Sequence, residues 1–294
     1  MNKFYAKSVL SLALLAAMSG AWAHRTWLIP SSSQVEGKDP WVTFDAAVSE
    51  DLFEFGANAV KLDGLVITAP DGSSLKPENP FTGRLRSSFD LKLTLSGTYR
   101  VSLVNESVMA TYKQGTEVKR WRGTPEALAK EVPADAPELR VTSTLGRLET
   151  FVTSGKGNDT ALKPVGSGLE LIPLTHPSDF VPGQAARFQF LLDGKPASNV
   201  KVSVVPGGVR YRGVLREQTM STDAKGEFQV KWPEAGMYWI NASYPPRPAP
   251  PATPAGDAVK PGAPGGAVTP AALVSRDMPA KRFTYGGTLE VLPE

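Results

Sequence analysis

The feature that most constrains the fold of this 294-residue chain is the alternation of apolar and polar residues at period two. Residues 89–95 read FDLKLTL, and residues 99–103 and 200–205 follow the same rule. Such a pattern places every second side chain on one face of a β-strand. Dipeptides that favour tight reversals, such as DG at 63–64 and SG at 96–97, separate the runs. The sequence therefore predicts an all-β fold built from many short strands.

The alternating runs fall into two groups, and the roughly 270 residues that follow position 23 are enough for two hydrophobic cores. Residues at about 245–279 are mainly Pro, Ala and Gly, a composition that cannot bury enough apolar surface to become ordered. We therefore predict two immunoglobulin-like β-sandwich domains in tandem, at 24–160 and 165–294, with a disordered insertion at about 245–279. Within the second domain, 222–230 and 235–240 read as a hairpin-like pair of strands.

One short helix interrupts the strands of the first domain. Thr124 is a favourable N-cap, Pro125 suits the first helical position, and the following residues up to about Glu131 propagate a helix. The sequence predicts that this helix ends before Pro133.

The N-terminus has the three parts of a secretory signal peptide. Two lysines precede an apolar run at 8–19, and residues 21–23 read AWA, an A-x-A cleavage site. The apolar run is shorter than the roughly 20 residues that span a bilayer. We therefore predict that residues 1–23 are removed during export to the periplasm, that His24 becomes the first residue, and that the mature protein is not stably inserted in a membrane.

Charge and cysteine content exclude several classes of site. Residues 1–23 carry two lysines and no acid, so the rest of the chain has 30 basic and 29 acidic residues. This balance gives no indication of a nucleic-acid partner. Cysteine is absent, which excludes disulfides and thiolate ligands, so a metal ion would be held by nitrogen and oxygen donors. The motifs of hydrolases, NTPases, zinc proteases and dinucleotide enzymes are missing, and we predict that the protein is not an enzyme.

The candidate metal ligands centre on the two histidines. A terminal His24 offers its α-amine and its imidazole together, a pairing that suits Cu(II), Ni(II) and Co(II). His176 follows a predicted strand and precedes a proline, a position from which side chains often point into a cleft between domains. Carboxylate oxygen would come from the acidic segment after the first strands, at Asp45, Glu50 or Asp51. Each candidate has an alternative without metal. His24 can be an incidental residue after the cleavage site, His176 a partly exposed histidine in a turn, and the acidic segment a solvated loop.

Several segments of the chain resemble sequences of the DUF4198 family. They are AHRTWLIP at 23–30, VTFDAAVS at 42–49, GLELIPLTHP at 168–177, FLLDGKP at 190–196 and TDAKG at 222–226. That family is often labelled as a periplasmic component of nickel or cobalt uptake. The resemblance implies a periplasmic, two-part β protein associated with transition-metal uptake. It also favours His24 and His176 as joint ligands, at a site between the domains, for a divalent ion: nickel or cobalt, or else copper or iron. Such a protein would assist uptake by passing the ion to a membrane transporter or reductase.

Two other functions fit the same residues. A β-sandwich without metal can serve as an interaction or carbohydrate-binding module, and the tandem arrangement is typical of such proteins. A copper oxidase with a terminal-histidine site would share the His24 donors but would also need an open substrate face.

Overall fold

The computed structural model describes residues 24–246 and 280–293 of the chain. The predicted signal peptide and nearly all of the predicted insertion at about 245–279 lie outside these residues. Strands make up most of the described chain, so the prediction of an all-β fold is confirmed. Within the described residues, no helix has the length and apolar character that crossing a membrane requires.

The first part of the chain forms strands up to Ser154 and one α-helix. Their bounds are β1 Arg25–Pro30, β2 Gln34–Val35, β3 Trp41–Ser49, β4 Asn58–Ala59, β5 Leu65–Thr68, β6 Ser74–Leu75, β7 Glu78–Thr82, β8 Ser87–Lys92, β9 Gly97–Gln114, β10 Glu117–Gly123, α1 Pro125–Glu131 and β11 Arg140–Ser154.

The second part begins with a 3₁₀ turn at Thr160–Leu162 and has another at Pro177–Asp179. Its other elements are β12 Leu169–Pro173, β13 Ala185–Leu192, β14 Lys195–Pro196, β15 Lys201–Pro206, α2 Val209–Arg212, β16 Gln218–Ser221, β17 Glu227–Lys231, β18 Gly236–Tyr244 and β19 Lys281–Val291.

The first sandwich packs a small sheet, in the order β1-β3-β8-β7 with β4 beside β3, against β5, β9 and β11 of a larger sheet. The alternation of β3 explains its packing, because Val42, Phe44 and Ala46 point inward and are fully buried. Phe44 stacks on Phe89 of β8, with ring centroids 4.9 Å apart. These side chains form the core of the first sandwich.

The second sandwich packs the sheet of β12, β13, β14 and β17 against β15, β18 and β19. Its core is aromatic: Phe188, Phe190, Trp232 and Tyr238 are all fully buried. The rings of Trp232 and Tyr238 lie 4.9 Å apart, between the two sheets. The prediction of two β-sandwiches in tandem is thus confirmed.

One sheet of ten strands runs through both sandwiches. Strand β11 pairs with β9 along its whole length and with β19 in parallel, from Ser143 opposite Lys281 to Thr150 opposite Thr288. Phe151 of β11 belongs to the core of the second sandwich, while the adjacent Val152 belongs to the core of the first. The predicted domains at 24–160 and 165–294 therefore share one continuous sheet.

The local predictions had different outcomes. Helix α1 is confirmed, with the Thr124 hydroxyl accepting a hydrogen bond from the Ala127 backbone N–H. The predicted hairpin of 222–230 and 235–240 is wrong, because β17 pairs with β13 and β18 pairs with β15 and β19. The connection carries Trp232 into the core and crosses from one sheet to the other.

Candidate functional site

His24 and Glu50 form a solvent-facing pair at the start of the described chain. Strands β1 and β3 are antiparallel with Arg25 opposite Ser49, so the residues just beyond this pair come side by side. His24 Nε2 lies 3.7 Å from Glu50 Oε1, and the two side chains are 59% and 54% exposed. The Arg25 guanidinium donates to the Glu50 backbone carbonyl at 2.8 Å, which fixes the start of the following loop.

The pair stands beside an aromatic cluster that joins the two sandwiches. Trp27 of β1 is fully buried, and its ring lies 5.8 Å from that of Phe53. Phe53 has a left-handed backbone (φ 66°), a conformation that is costly for a bulky residue. Its ring fills the space above Gly207, where a Cβ would come within 3.1 Å of it. The loop after Glu50 is therefore packed against the second sandwich rather than free in solvent.

The two other predicted acids are placed differently. Asp45 lies opposite Ile29, five residues along β1 from His24, and is engaged by the Ser88 hydroxyl and by Arg86, 3.6 Å away. Asp51 follows Glu50 directly, and its backbone carbonyl accepts hydrogen bonds from the Ser49 hydroxyl and the Glu54 N–H. Of the predicted carboxylates, Glu50 is the one that faces His24.

His176 connects three segments of the described chain through hydrogen bonds of its imidazole. Its Nε2 lies 3.0 Å from the Thr98 hydroxyl and 3.4 Å from the Asn158 carbonyl, and its Nδ1 accepts from the Ser178 N–H at 3.2 Å. Both ring nitrogens are therefore engaged by protein groups. The imidazole connects β9, the segment after β11 and the turn Pro177–Asp179.

The structure does not bring the two histidines together. The Gln34 amide donates to the Ser178 carbonyl at 2.9 Å, so His176 lies near the far end of the N-terminal segment. The six residues of β1 lie between His24 and that end, and at about 3.3 Å per residue they span roughly 20 Å. Among the residues that the structure describes, no group of three or more His, Asp or Glu side chains is arranged to hold a metal ion.

A buried ionic cluster, which no sequence motif indicates, lies in the large sheet. Glu149 of β11 is 2% exposed, and its carboxylate accepts from the Ser102 hydroxyl at 2.6 Å and from the Tyr285 hydroxyl at 3.2 Å. The guanidinium groups of Arg147 and Arg100 lie 3.5 and 4.0 Å away. Burial, followed by the Glu149 charge, raises the pKa of Tyr285 well above its usual value. The single carboxylate thus lies between two buried cations and offsets one of their two positive charges.

The cluster holds the linker between the sandwiches. Arg100 donates to the Lys163 carbonyl at 2.9 Å, and Arg147 donates to the Ser167 carbonyl at 3.0 Å. The nearby carboxylate of Glu170 accepts three backbone N–H bonds from residues 165–167. The role of these charged groups is therefore to position the connection between the two cores.

The profile of a family described as a domain of unknown function, DUF4198, matches residues 21–245. The chain belongs to the DUF4198 family. The DUF4198 match includes both histidines and the Glu50 loop, and it ends just after β18. Among curated proteins, none matches this DUF4198 chain.

Three solved structures are similar to this DUF4198 protein at low sequence identity. A DUF4785 family protein from Legionella pneumophila is 9% identical over 73% of this chain and 50% of its own, with a TM-score of 0.22. The D0-D1 domain of intimin is 14% identical over 73% and 88%, with a TM-score of 0.20. A two-domain fibronectin type III segment of chicken tenascin is 15% identical over 75% and 90%, with a TM-score of 0.18.

Proposed function

We propose that this protein is a periplasmic carrier of a divalent transition metal, and that His24 binds the ion after residues 1–23 have been removed. The observation that supports it is the exposed His24 imidazole beside the Glu50 carboxylate, with 3.7 Å between Nε2 and Oε1. The carrier passes its cargo to a membrane transporter or reductase during uptake.

The atoms of the pair fit this role. The α-amine and the imidazole of one residue can close a chelate ring through Nδ1, because Nε2 lies on the far side of the ring. Glu50 faces Nε2 and leaves Nδ1 available. Carboxylates commonly hold the second N–H of a metal-binding histidine and so fix the orientation of its ring. In this proposal Glu50 orients His24, and the two nitrogen atoms of His24 are the ligands.

The small number of protein ligands suits a carrier. His24 supplies two nitrogens, and the exposed position leaves the remaining coordination positions to water or to an acceptor protein. An ion held in this way exchanges more readily than one in a closed site. Nitrogen donors bind divalent ions in the order Cu above Ni above Co, and we expect the same order here.

Isothermal titration of the protein beginning at His24 with copper, nickel and cobalt salts tests the proposal. One saturable site is expected, and it should be lost in His24→Ala and in a form that retains residues 19–23, because the α-amine is then displaced. Glu50→Gln should weaken binding by about 10- to 100-fold. Glu36→Gln is the matched control, since Glu36 is an exposed acid of the same sandwich.

Two results would contradict the proposal. One is the absence of saturable binding, or binding that persists in His24→Ala. The other is mass spectrometry of the exported protein showing a first residue other than His24.

A further inference from the structure

The outer face of the first sandwich carries an ordered row of polar side chains. On β3 and β8, the residues that alternate with the core point outward and pair across the strands: Trp41 lies opposite Lys92, and Thr43 lies opposite Asp90. This outer face is on the side of the sheet away from the buried Phe44 and Phe89. It lies near the beginning of β3, whereas the His24 pair lies near its end.

Two large aromatic side chains are exposed on this face. Trp41 is 50% exposed and Phe81 is 64% exposed. Phe81 of β7 lies opposite Ser88, one of the outward residues of β8, so it shares the face with Trp41. Strand spacings of about 4.8 Å and a rise of about 3.3 Å per residue place the two residues roughly 16 Å apart along a diagonal. Exposed aromatic rings offer apolar faces on which a ligand can stack.

The polar groups between the rings are already held in place. The carboxylate of Asp90 accepts from the Thr43 hydroxyl at 2.7 Å and from the Asn79 amide at 3.0 Å. Asn79 has a left-handed backbone (φ 49°) where the pairing of β7 with β8 is irregular, and this geometry directs its amide to Asp90. These two hydrogen bonds lower the pKa of Asp90, which keeps it ionised. Its remaining lone pairs can accept hydrogen bonds from a ligand.

The cations of the face are already near carboxylates. Lys92 lies 3.4 Å from Asp39, and Arg86 lies 3.6 Å from Asp45. With Asp90 added, carboxylates outnumber these cations, so the face repels an anionic ligand. The complementary ligand is uncharged, with apolar surfaces for the rings and hydroxyl groups for the carboxylate and amide.

We propose that this face binds an uncharged oligosaccharide chain, with sugar rings stacked on Trp41 and Phe81 and hydroxyl groups bonded to Asp90 and Asn79. A sugar ring combines a C–H face with a hydroxyl edge, and the diagonal of roughly 16 Å between the aromatic residues suits an extended chain of several such rings. The site is independent of metal binding at His24.

An array of immobilised neutral and acidic oligosaccharides tests the proposal with the protein beginning at His24. We expect retention on neutral glycans. Trp41→Ala and Phe81→Ala should each weaken it about tenfold, the effect of losing one aromatic contact, and the double variant should abolish it. Tyr211→Ala is the matched control, because Tyr211 is an 83% exposed aromatic residue of the second sandwich. Thermal unfolding should show that all variants are folded, since the substituted side chains are exposed.

The proposal is overturned if no neutral glycan is retained, if only acidic glycans are retained, or if the double variant binds as well as the unchanged protein. It is also overturned if Tyr211→Ala causes the same loss. A change of oligomeric state in Trp41→Ala, measured by light scattering, would identify the face as a contact between copies of this chain. Titration with metal salts distinguishes these failures from failure at His24.

Discussion

His176 and Gly157 are in such close contact that the imidazole ring occupies the space of a side chain at position 157. A Cβ added to Gly157 would overlap the ring and come within 2.8 Å of Nε2. The missing side chain at 157 is therefore what allows His176 to reach Thr98 and Asn158.

Substitution of Gly157 tests this structural role. Gly157→Ala should displace His176 and destabilise the protein by about 1 to 3 kcal/mol, the usual cost of overpacking. Urea unfolding measures the change. Gly56→Ala is the control, because a Cβ at Gly56 meets nothing within 4 Å. Equal stability of the two variants would contradict the assignment.

The buried cluster around Glu149 makes a second prediction. Glu149→Gln leaves Arg100 and Arg147 buried without a neutralising carboxylate, so we expect a loss of about 3 to 5 kcal/mol in unfolding free energy. In the control, Glu138→Gln, the exposed contact with Lys113 should contribute little to stability. A small effect in both variants would show that the cluster is not needed to hold the linker.

Tyr285 should make the protein sensitive to alkali. Its pKa is raised by burial and by Glu149, so the folded state favours the neutral phenol. Its contribution to stability is present below the ordinary tyrosine pKa of about 10 and is lost as the pH rises above it, because the unfolded state then releases the proton. Tyr285→Phe should reduce the slope of stability against pH above that value. Tyr211→Phe, at an exposed position, should leave the slope unchanged.

Asp90 gives the corresponding prediction in acid. Hydrogen bonds from Thr43 and Asn79 lower its pKa, so its contribution to stability is present above the usual Asp value of about 3.9 and is lost as the pH falls through the lower folded value. A carbon-detected NMR titration should show the pKa of Asp90 rising in Thr43→Val. No change in that variant would mean that the Thr43 hydroxyl does not stabilise the carboxylate.

Local signals predicted those parts of the fold that depend on neighbouring residues. The alternation in β3 and β8 and the cap at Thr124 act over a few residues, and the structure bears them out. Strand partners depend on distant contacts, and the local pattern of 222–230 and 235–240 therefore predicts a hairpin that does not form. Arg100 and Glu149 were missed for a related reason: alternation marks their positions as solvent-facing, but the central sheet is covered on both faces.

In the candidate site, too, the sequence predicted what depends on neighbouring strands and did not predict what depends on distant contacts. His24 and Glu50 are brought together by the register of two adjacent strands, and both belong to the set proposed from the sequence. His176 depends on contacts with Thr98 and Asn158, which no local pattern indicates. The sequence around a histidine between a strand and a proline is the same whether the side chain binds a metal ion or holds a loop by hydrogen bonds.

Strand β11 carries one hydrophobic core on each of its faces, through Val152 on one side and Phe151 on the other. If β11 were retained in only one sandwich, the face that packs in the core of the other sandwich would be exposed. The two sandwiches are therefore not independent domains that could be recombined with other domains. Separating the two sandwiches would expose one apolar face of β11 to water.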